Sequence, residues 1–294
     1  MNIRIVGVVG SGLMGSGIAQ AAAVGGFDVL VHDANVAQWP KARTGIEKSL
    51  AKFVEKGQLA ADLHDAALTR LRFVDTLEAL APCDLVIEAI VEALDAKQAL
   101  WRRLEAICRA DCAFATNTSS LSVVDQTVGL AHPERLLGLH FFNPVPLMPL
   151  VEVVRSVRTD PAVIKAGVAF AQAVGKTPVP ARDESGFIVN RLLVPYLIDA
   201  VRALEHGTGS IAEIDTAMKL GAGYPMGPFT LLDFVGLDTV VRIGEIMFDQ
   251  YREARYAPPP LLRRMVTAGY LGKKNGKGFY DWSGATPIPM ELGL

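Results

Sequence analysis

The sequence predicts an α/β fold, a doubly wound sheet covered by helices, followed by a smaller all-helical domain. Strand-like and helix-like stretches alternate through the first ~180 residues, the pattern of a sheet of parallel strands with helical crossovers. A glycine-punctuated segment links the first strand to the first helix. After Gly186, β-branched runs become scarce and helical spacing takes over. Length agrees, since 294 residues at about 150 per domain imply two domains. The expected boundaries are 1–184 and 185–294.

The elements follow in order. Residues 3–9 are β-branched and strand-like, residues 10–12 break the pattern, and residues 13–24 suit a helix. Residues 28–32 read as the second strand and 36–56 as a long helix, followed by a polar, Ala-rich stretch to Arg70. Strands are expected at 71–74, 85–87, 113–116, 136–141, 150–154 and 177–180, with helices at 93–108 and 162–174. Beyond Gly186, residues 187–206 are apolar nearly all round, with Pro195 as an expected kink. Shorter helices are expected at 210–220, 229–235 and 238–251, with breaks at 221–228 and 257–260.

Composition excludes several classes. Lys and Arg number 29 against 31 Asp and Glu, a net charge of −2, so neither a nucleic-acid binder nor a protein held on an anionic membrane is expected. Cys83, Cys108 and Cys112 are too few for a disulfide framework and lack zinc-finger spacing, so no metal site is expected and a cytoplasmic setting is preferred. Cys108 and Cys112 are read as packing residues. Residues 5–27 carry no charge and are long enough to cross a bilayer. Seven of them are glycine, however, each costing a helix about 1 kcal/mol relative to alanine. A soluble chain is the better reading.

Gly10-Ser11-Gly12-Leu13-Met14-Gly15 is a G-x-G-x-x-G run with a strand before it and a helix after it. The first glycine permits the tight turn, the second lets backbone approach a pyrophosphate, and the third lets helix and strand pack closely. Free N–H groups at the helix start then face the phosphates. Asp33, at the end of the second strand, lies where a carboxylate can accept bonds from ribose hydroxyls. The same charge repels a 2′-phosphate, and the residues just after it (Ala34, Asn35, Val36) offer no Arg, so NAD is favoured over NADP. The fold is therefore Rossmann-type.

Of five histidines, His140 stands apart. It ends an apolar strand and opens the rigid loop Phe141-Phe142-Asn143-Pro144-Val145-Pro146, at the sheet edge where ligands of open α/β folds bind. Glu152 lies in the next strand. If the two segments pair, its carboxylate can hold one ring nitrogen and leave the other as a proton acceptor. Ser119 and Ser120 raise a rival, acyl hydrolysis, but no serine sits in G-x-S-x-G. Asn117-Thr118-Ser119-Ser120 also reads as a plain strand end with a helix cap.

The chain resembles the short-chain L-3-hydroxyacyl-CoA dehydrogenases, which include bacterial 3-hydroxybutyryl-CoA dehydrogenases. Six segments carry the resemblance: residues 10–15, 88–92, 117–121, 140–146, 186–191 and 221–229. It implies that His140 is the general base that takes the 3-hydroxyl proton as hydride leaves for the nicotinamide, that Glu152 holds the imidazole, that Ser119 bonds the reacting oxygen, and that Asn190 positions the substrate. It places Ser49 and Lys56 against the CoA moiety of an acyl-CoA thioester, and Glu92, Lys97, Ser119, Asn143 and Lys274 against the dinucleotide. A homodimer is also implied. The chain departs from the family in two places. Ser185 replaces a usual proline, expected to loosen the link between domains, and Pro149 replaces a common lysine.

Overall fold

Short runs of Val, Ile and Leu build the sheet. In the computed structural model, which describes residues 1–293, eight strands are β1 (Ile5–Val9), β2 (Asp28–His32), β3 (Leu71–Val74), β4 (Leu85–Glu88), β5 (Ala113–Thr116), β6 (Leu136–Phe141), β7 (Leu150–Arg155) and β8 (Thr177–Arg182). They lie in the order β3-β2-β1-β4-β5-β6-β7-β8. The order reverses between β1 and β4, the switch point beside which such sheets bind ligands. Most strands are nearly continuous apolar runs because both faces are covered. On one face Val6, Val8, Val29, Val31, Leu85 and Ile87 pack with Ile18 and Ala22. On the other, Val9, Leu30, Val86 and Phe114 pack with Trp101 and Leu104. All three cysteines are unpaired thiols buried in that second layer.

The helices of this unit are α1 (Leu13–Val24), α2 (Trp39–Glu55), α3 (Ala61–Arg70), α4 (Leu94–Ile107), α5 (Val123–Gln126) and α6 (Pro161–Ala173). Two expectations need correction. The helix expected over 36–56 begins with a separate 3-10 turn at Val36–Gln38, where Asn35 accepts from the Ala37 amide and Pro40 follows. The Ala-rich stretch is itself helix α3, which buries Ala67 against the core.

The sheet is also not wholly parallel, because β7 runs antiparallel to β6. The connection between them spans only residues 142–149, too short for the crossover of a dozen or more residues that parallel pairing needs. That reversal sets His140 directly opposite Glu152.

The chain divides into two units, Met1–Phe187 and Ile188–Leu294. The second contains α7 (Val189–Glu205), α8 (Ile211–Ala222), α9 (Pro228–Val235), α10 (Leu237–Tyr251) and α11 (Pro260–Thr267). Its core includes Leu197, Ile198, Val201, Phe229, Leu232, Met247 and Phe279. Helix α7 is not buried all round: Val194, Leu197, Ile198, Val201 and Leu204 face the core, while Leu192 is 67% exposed. The expectation of an all-helical second domain is corrected by one addition, a two-stranded antiparallel pair, β9 (Tyr280–Asp281) with β10 (Ile288–Pro289). Among the described residues, no helix is long and apolar enough to cross a membrane.

Candidate active site

Five parallel strands, β1, β2, β4, β5 and β6, end along one edge of the sheet, and their ends and the turns that follow carry the candidate residues of this unit. After β1, Gly10 adopts φ +101°, and a side chain there would meet the Ala89 carbonyl oxygen at 2.5 Å. Gly15 packs so closely that a Cβ would lie 1.8 Å from the Gly10 oxygen. Gly12 differs, since a Cβ there would have nothing within 4 Å. Two glycines are thus required by the turn itself, and the third opens onto space at the start of α1. Gly12 caps α1 without any side-chain bond, and its first turn holds no acid. Its leading N–H groups have no intrahelical acceptor and suit a diphosphate.

Asp33 follows β2 and grips this turn. Its Oδ2 accepts from the Ser11 amide at 2.6 Å and the Ser11 hydroxyl at 2.8 Å, while Oδ1 accepts from the Asn35 amide at 2.8 Å. Burial works against the ionised form, but these amide and hydroxyl bonds outweigh it and hold the carboxyl below its ordinary value. An anionic carboxylate at the end of β2, beside an amide-lined glycine turn, fits the adenosine half of a dinucleotide. Leu13 is largely exposed, and Met14 packs against the core.

At the end of β6, His140 is 5% exposed and Glu152 is fully buried. His140 Nδ1 lies 2.7 Å from Glu152 Oε2. With the carboxylate as acceptor, Nδ1 carries the proton and Nε2 has its lone pair available. The rings of Phe142 and Phe187 flank the imidazole, with centroids at 4.4 and 5.6 Å. Asn117, just past β5, accepts from the Phe141 amide through Oδ1 at 2.9 Å, tying the end of β6 to the turn that carries Ser119. Asn143 is exposed in the following loop.

Ser119 is half-buried, and its amide donates to Glu92 Oε1 at 3.2 Å. The same oxygen accepts from the Thr118 and Ser120 hydroxyls. Lys97 is not a surface residue. It is 1% exposed, with its ammonium 2.5 Å from Glu88 Oε1 and 3.1 Å from Glu92 Oε2. Nothing in the sequence marks this pair: a lysine inside an amphipathic helix ordinarily faces water. Only the approach of α4 to the ends of β4 and β5 shows where it points.

A cleft of about 540 Å³ opens beside the glycine turn. It is lined by Ser11, Gly12 and Leu13, by the α1 and α2 faces including Ile46, Ser49 and Phe53, and by Pro144, Pro146 and Leu147 after His140. Lys41, Lys52 and Lys56 line it too, with no acid among the lining residues. Ser49 and Lys56 therefore share one wall, as a phosphate-bearing handle requires. Lys41 and Lys52 escaped the sequence reading, although all three lysines are spaced to return to one side of α2.

Ser185, which stands in place of a usual proline, is bonded within the α/β unit. The Ser185 hydroxyl donates to the Ser120 carbonyl at 3.1 Å, a bond that proline cannot make. Asp183 accepts from the Val123 and Val124 amides, both at 2.7 Å, and from the Ser122 hydroxyl. Residues 183–185 are thereby fastened to the serine turn and to α5. Asn190 lies in the first turn of α7, in the second unit. Lys274 belongs to that unit as well, with its ammonium 2.5 and 2.6 Å from the Asp238 carboxylate oxygens.

Turn, helix start and strand-end acid together define a dinucleotide-binding α/β protein. The NAD-binding domain of 3-hydroxyacyl-CoA dehydrogenase matches residues 5–184, and the C-terminal domain of the same enzymes matches residues 186–282. The chain belongs to the 3-hydroxyacyl-CoA dehydrogenase family, NAD-dependent oxidoreductases. It is 42% identical to a 3-hydroxybutyryl-CoA dehydrogenase of Bradyrhizobium diazoefficiens, covering 98% of this chain and 99% of that one. It is 45% identical to a 3-hydroxybutyryl-CoA dehydrogenase of Mycobacterium tuberculosis, covering 95% and 99%. The crystal structure of (S)-3-hydroxybutyryl-CoA dehydrogenase PaaH1 from Ralstonia eutropha superposes with a TM-score of 0.92 at 38% identity, covering 96% of this chain and all of that one.

Proposed function

We propose that the protein interconverts (S)-3-hydroxyacyl-CoA and 3-oxoacyl-CoA thioesters, with 3-hydroxybutyryl-CoA and acetoacetyl-CoA as its substrate pair. The observation that carries this reading is the His140–Glu152 pair, 2.7 Å apart on the sheet edge that also carries the glycine turn. NAD bound at that turn supplies the hydride acceptor. His140 Nε2 takes the 3-hydroxyl proton as hydride departs, and Glu152 faces the imidazolium that results. In the reverse direction the imidazolium returns that proton, while the Ser119 hydroxyl steadies the developing alkoxide.

Asn190 orients the thioester, and Glu92, Asn143 and Lys274 meet the dinucleotide. Ser49 and Lys56, joined by Lys41 and Lys52, hold the CoA phosphates in the cleft. Binding energy gathered on that remote handle positions the short acyl group for reaction. The helical domain serves substrate positioning and homodimer formation. Leu192, Leu220 and Tyr224, at 67%, 80% and 45% exposure, supply apolar surface for a partner. The setting is the cytoplasm.

The test is to mix protein, acetoacetyl-CoA and NADH and follow NADH absorbance between about pH 5 and 8, the range in which an imidazole titrates. Steady depletion is expected, with four-carbon thioesters preferred over longer or carboxylated ones and NADH over NADPH. No depletion at any pH, with NADH still bound, would instead identify a non-catalytic dinucleotide-binding protein.

A further inference from the structure

One lysine, two glutamates and two threonines form a polar cluster beneath the serine turn, and the hydride-transfer scheme gives most of it no task. Glu88 ends β4 and is fully buried; Lys97 lies on α4 and is 1% exposed; Thr116 ends β5 and is fully buried. Glu88 Oε1 receives the Lys97 ammonium at 2.5 Å and the Ile90 amide at 2.8 Å, and its Oε2 receives the Thr116 hydroxyl at 2.8 Å. The Thr116 oxygen in turn accepts from the Thr118 amide at 3.2 Å. On its other side the Lys97 ammonium reaches Glu92, whose Oε1 accepts from Thr118, Ser119 and Ser120.

Two connected paths therefore run from Glu88 to the serine turn, one through Lys97 and Glu92 to the Ser119 amide and one through Thr116 to the Thr118 amide. A charged pair this deep costs several kcal/mol of desolvation per ion, so stability alone is weak grounds for it. What the arrangement does supply is geometry. One cation stands between two carboxylates, and its position decides where Glu92 sits. Burial pushes the Glu88 carboxyl up in spite of Lys97, whereas for Glu92, where burial also opposes charge, Lys97 and Thr118 prevail and the carboxyl stays below its ordinary value.

We infer that Glu88 is a positioning residue for the oxidoreduction: by holding Lys97 from beneath, it fixes Glu92 and, through it, the turn that presents the Ser119 hydroxyl. The inference rests on the proposed role of Ser119 at the reacting oxygen. Without the Glu88 charge the ammonium is drawn wholly onto Glu92, and Glu92 is pulled away from Thr118, Ser119 and Ser120. A displaced hydroxyl costs rate rather than binding.

The test is a double-mutant cycle on the whole protein, with Glu88→Gln, Ser119→Ala and both together. It reads kcat, KM for acetoacetyl-CoA, the NADH dissociation constant from fluorescence, and thermal melting. Glu88→Gln is expected to lower kcat by about tenfold or more while KM stays within about twofold, with NADH affinity, which Glu92 also serves, falling by less than kcat. The double variant should be no slower than Ser119→Ala alone.

Multiplying losses, an unchanged kcat in Glu88→Gln, or a loss confined to NADH affinity (the sign of Lys97 serving the cofactor directly) would each overturn the inference. A wild-type kcat in Ser119→Ala overturns the Ser119 role itself, and this inference with it. If Glu88→Gln fails to melt cooperatively, the charge-neutral pair Glu88→Gln/Lys97→Met is read in its place. It should show the same kcat loss at constant KM, and a wild-type kcat in that pair overturns the inference.

Discussion

Both units bury acids, and the bonds of those acids lead to different places. In the helical unit Asp215 and Asp233 are 4% and 1% exposed and are bonded within their own unit. Asp215 accepts from the Phe229 and Thr230 amides, the Thr230 hydroxyl and the Tyr280 hydroxyl, closing the start of α9 onto the β9 strand. Asp233 accepts from the Phe279 and Tyr280 amides and the Trp282 indole. A side chain at Gly278 would lie 2.0 Å from Asp233 Oδ1, so that glycine makes room for the brace.

In the α/β unit, Glu152 is just as buried but lies opposite a histidine at a strand end, and Glu92 bonds to a turn that opens on the sheet edge. Burial with satisfied partners is common to both units. What differs is where the bonded groups lead: inside the fold for the two aspartates, and to the strand ends of the sheet edge for Glu92 and Glu152.

Four changes would break or sharpen that contrast. His140→Gln should reduce kcat by about 10²–10⁴ while NADH affinity is kept, and a near-wild-type rate would remove the imidazole from the chemistry. Asp233→Ala leaves three buried donors without an acceptor. At about 1–3 kcal/mol for each unsatisfied group, added incompletely, stability should fall by roughly 2–6 kcal/mol and the Tm with it. Activity per folded molecule should not change, and a kcat loss without a Tm loss would contradict the bracing role. Glu152→Gln removes the anion facing the imidazolium and should cost about tenfold to a hundredfold in kcat with little change in Tm.

Asp33→Asn has the smallest expected effect, a rise of about tenfold in the NADPH/NADH preference ratio, or ~1.4 kcal/mol. Its stability effect also carries a sign. The Asp33 carboxyl is held below its ordinary value of 3.8, so it contributes stability above that pH and loses it as pH falls through the folded value. The Tm advantage of the unsubstituted chain over Asp33→Asn should therefore shrink on acidification below pH 3.8, and an advantage that grows there would contradict the bonding described for Ser11.

The contrast also explains what the sequence could reveal. The glycine turn was legible because its spacing encodes steric demands that Gly10 and Gly15 meet within the turn itself, while Gly12 opens onto space. The pairing of His140 with Glu152 was legible as a possibility, since twelve positions separate them across a short loop; only the antiparallel register makes it a bond. The burial of Lys97 was not legible: its partners Glu88 and Glu92 precede it in the same stretch of chain, but a lysine on an amphipathic helix reads as solvated until α4 is seen packed against the end of β4. Helices α3 and α11 were missed for local reasons, a weakly amphipathic Ala-rich run in one and a run of prolines ahead of the other. The final family segment, residues 221–229, ends in a brace around Asp215, a structural use that motif recognition alone does not separate from a catalytic one.

The most direct measurement follows the hydride itself. Acetoacetyl-CoA is reduced with NADH deuterated at the transferable position of nicotinamide C4, and the product is read by mass spectrometry. Deuterium should appear at C3 of 3-hydroxybutyryl-CoA, and the His140→Gln variant should place it at the same carbon far more slowly. Product without the label, or thioester cleavage with NADH left intact, would contradict hydride transfer at this sheet edge.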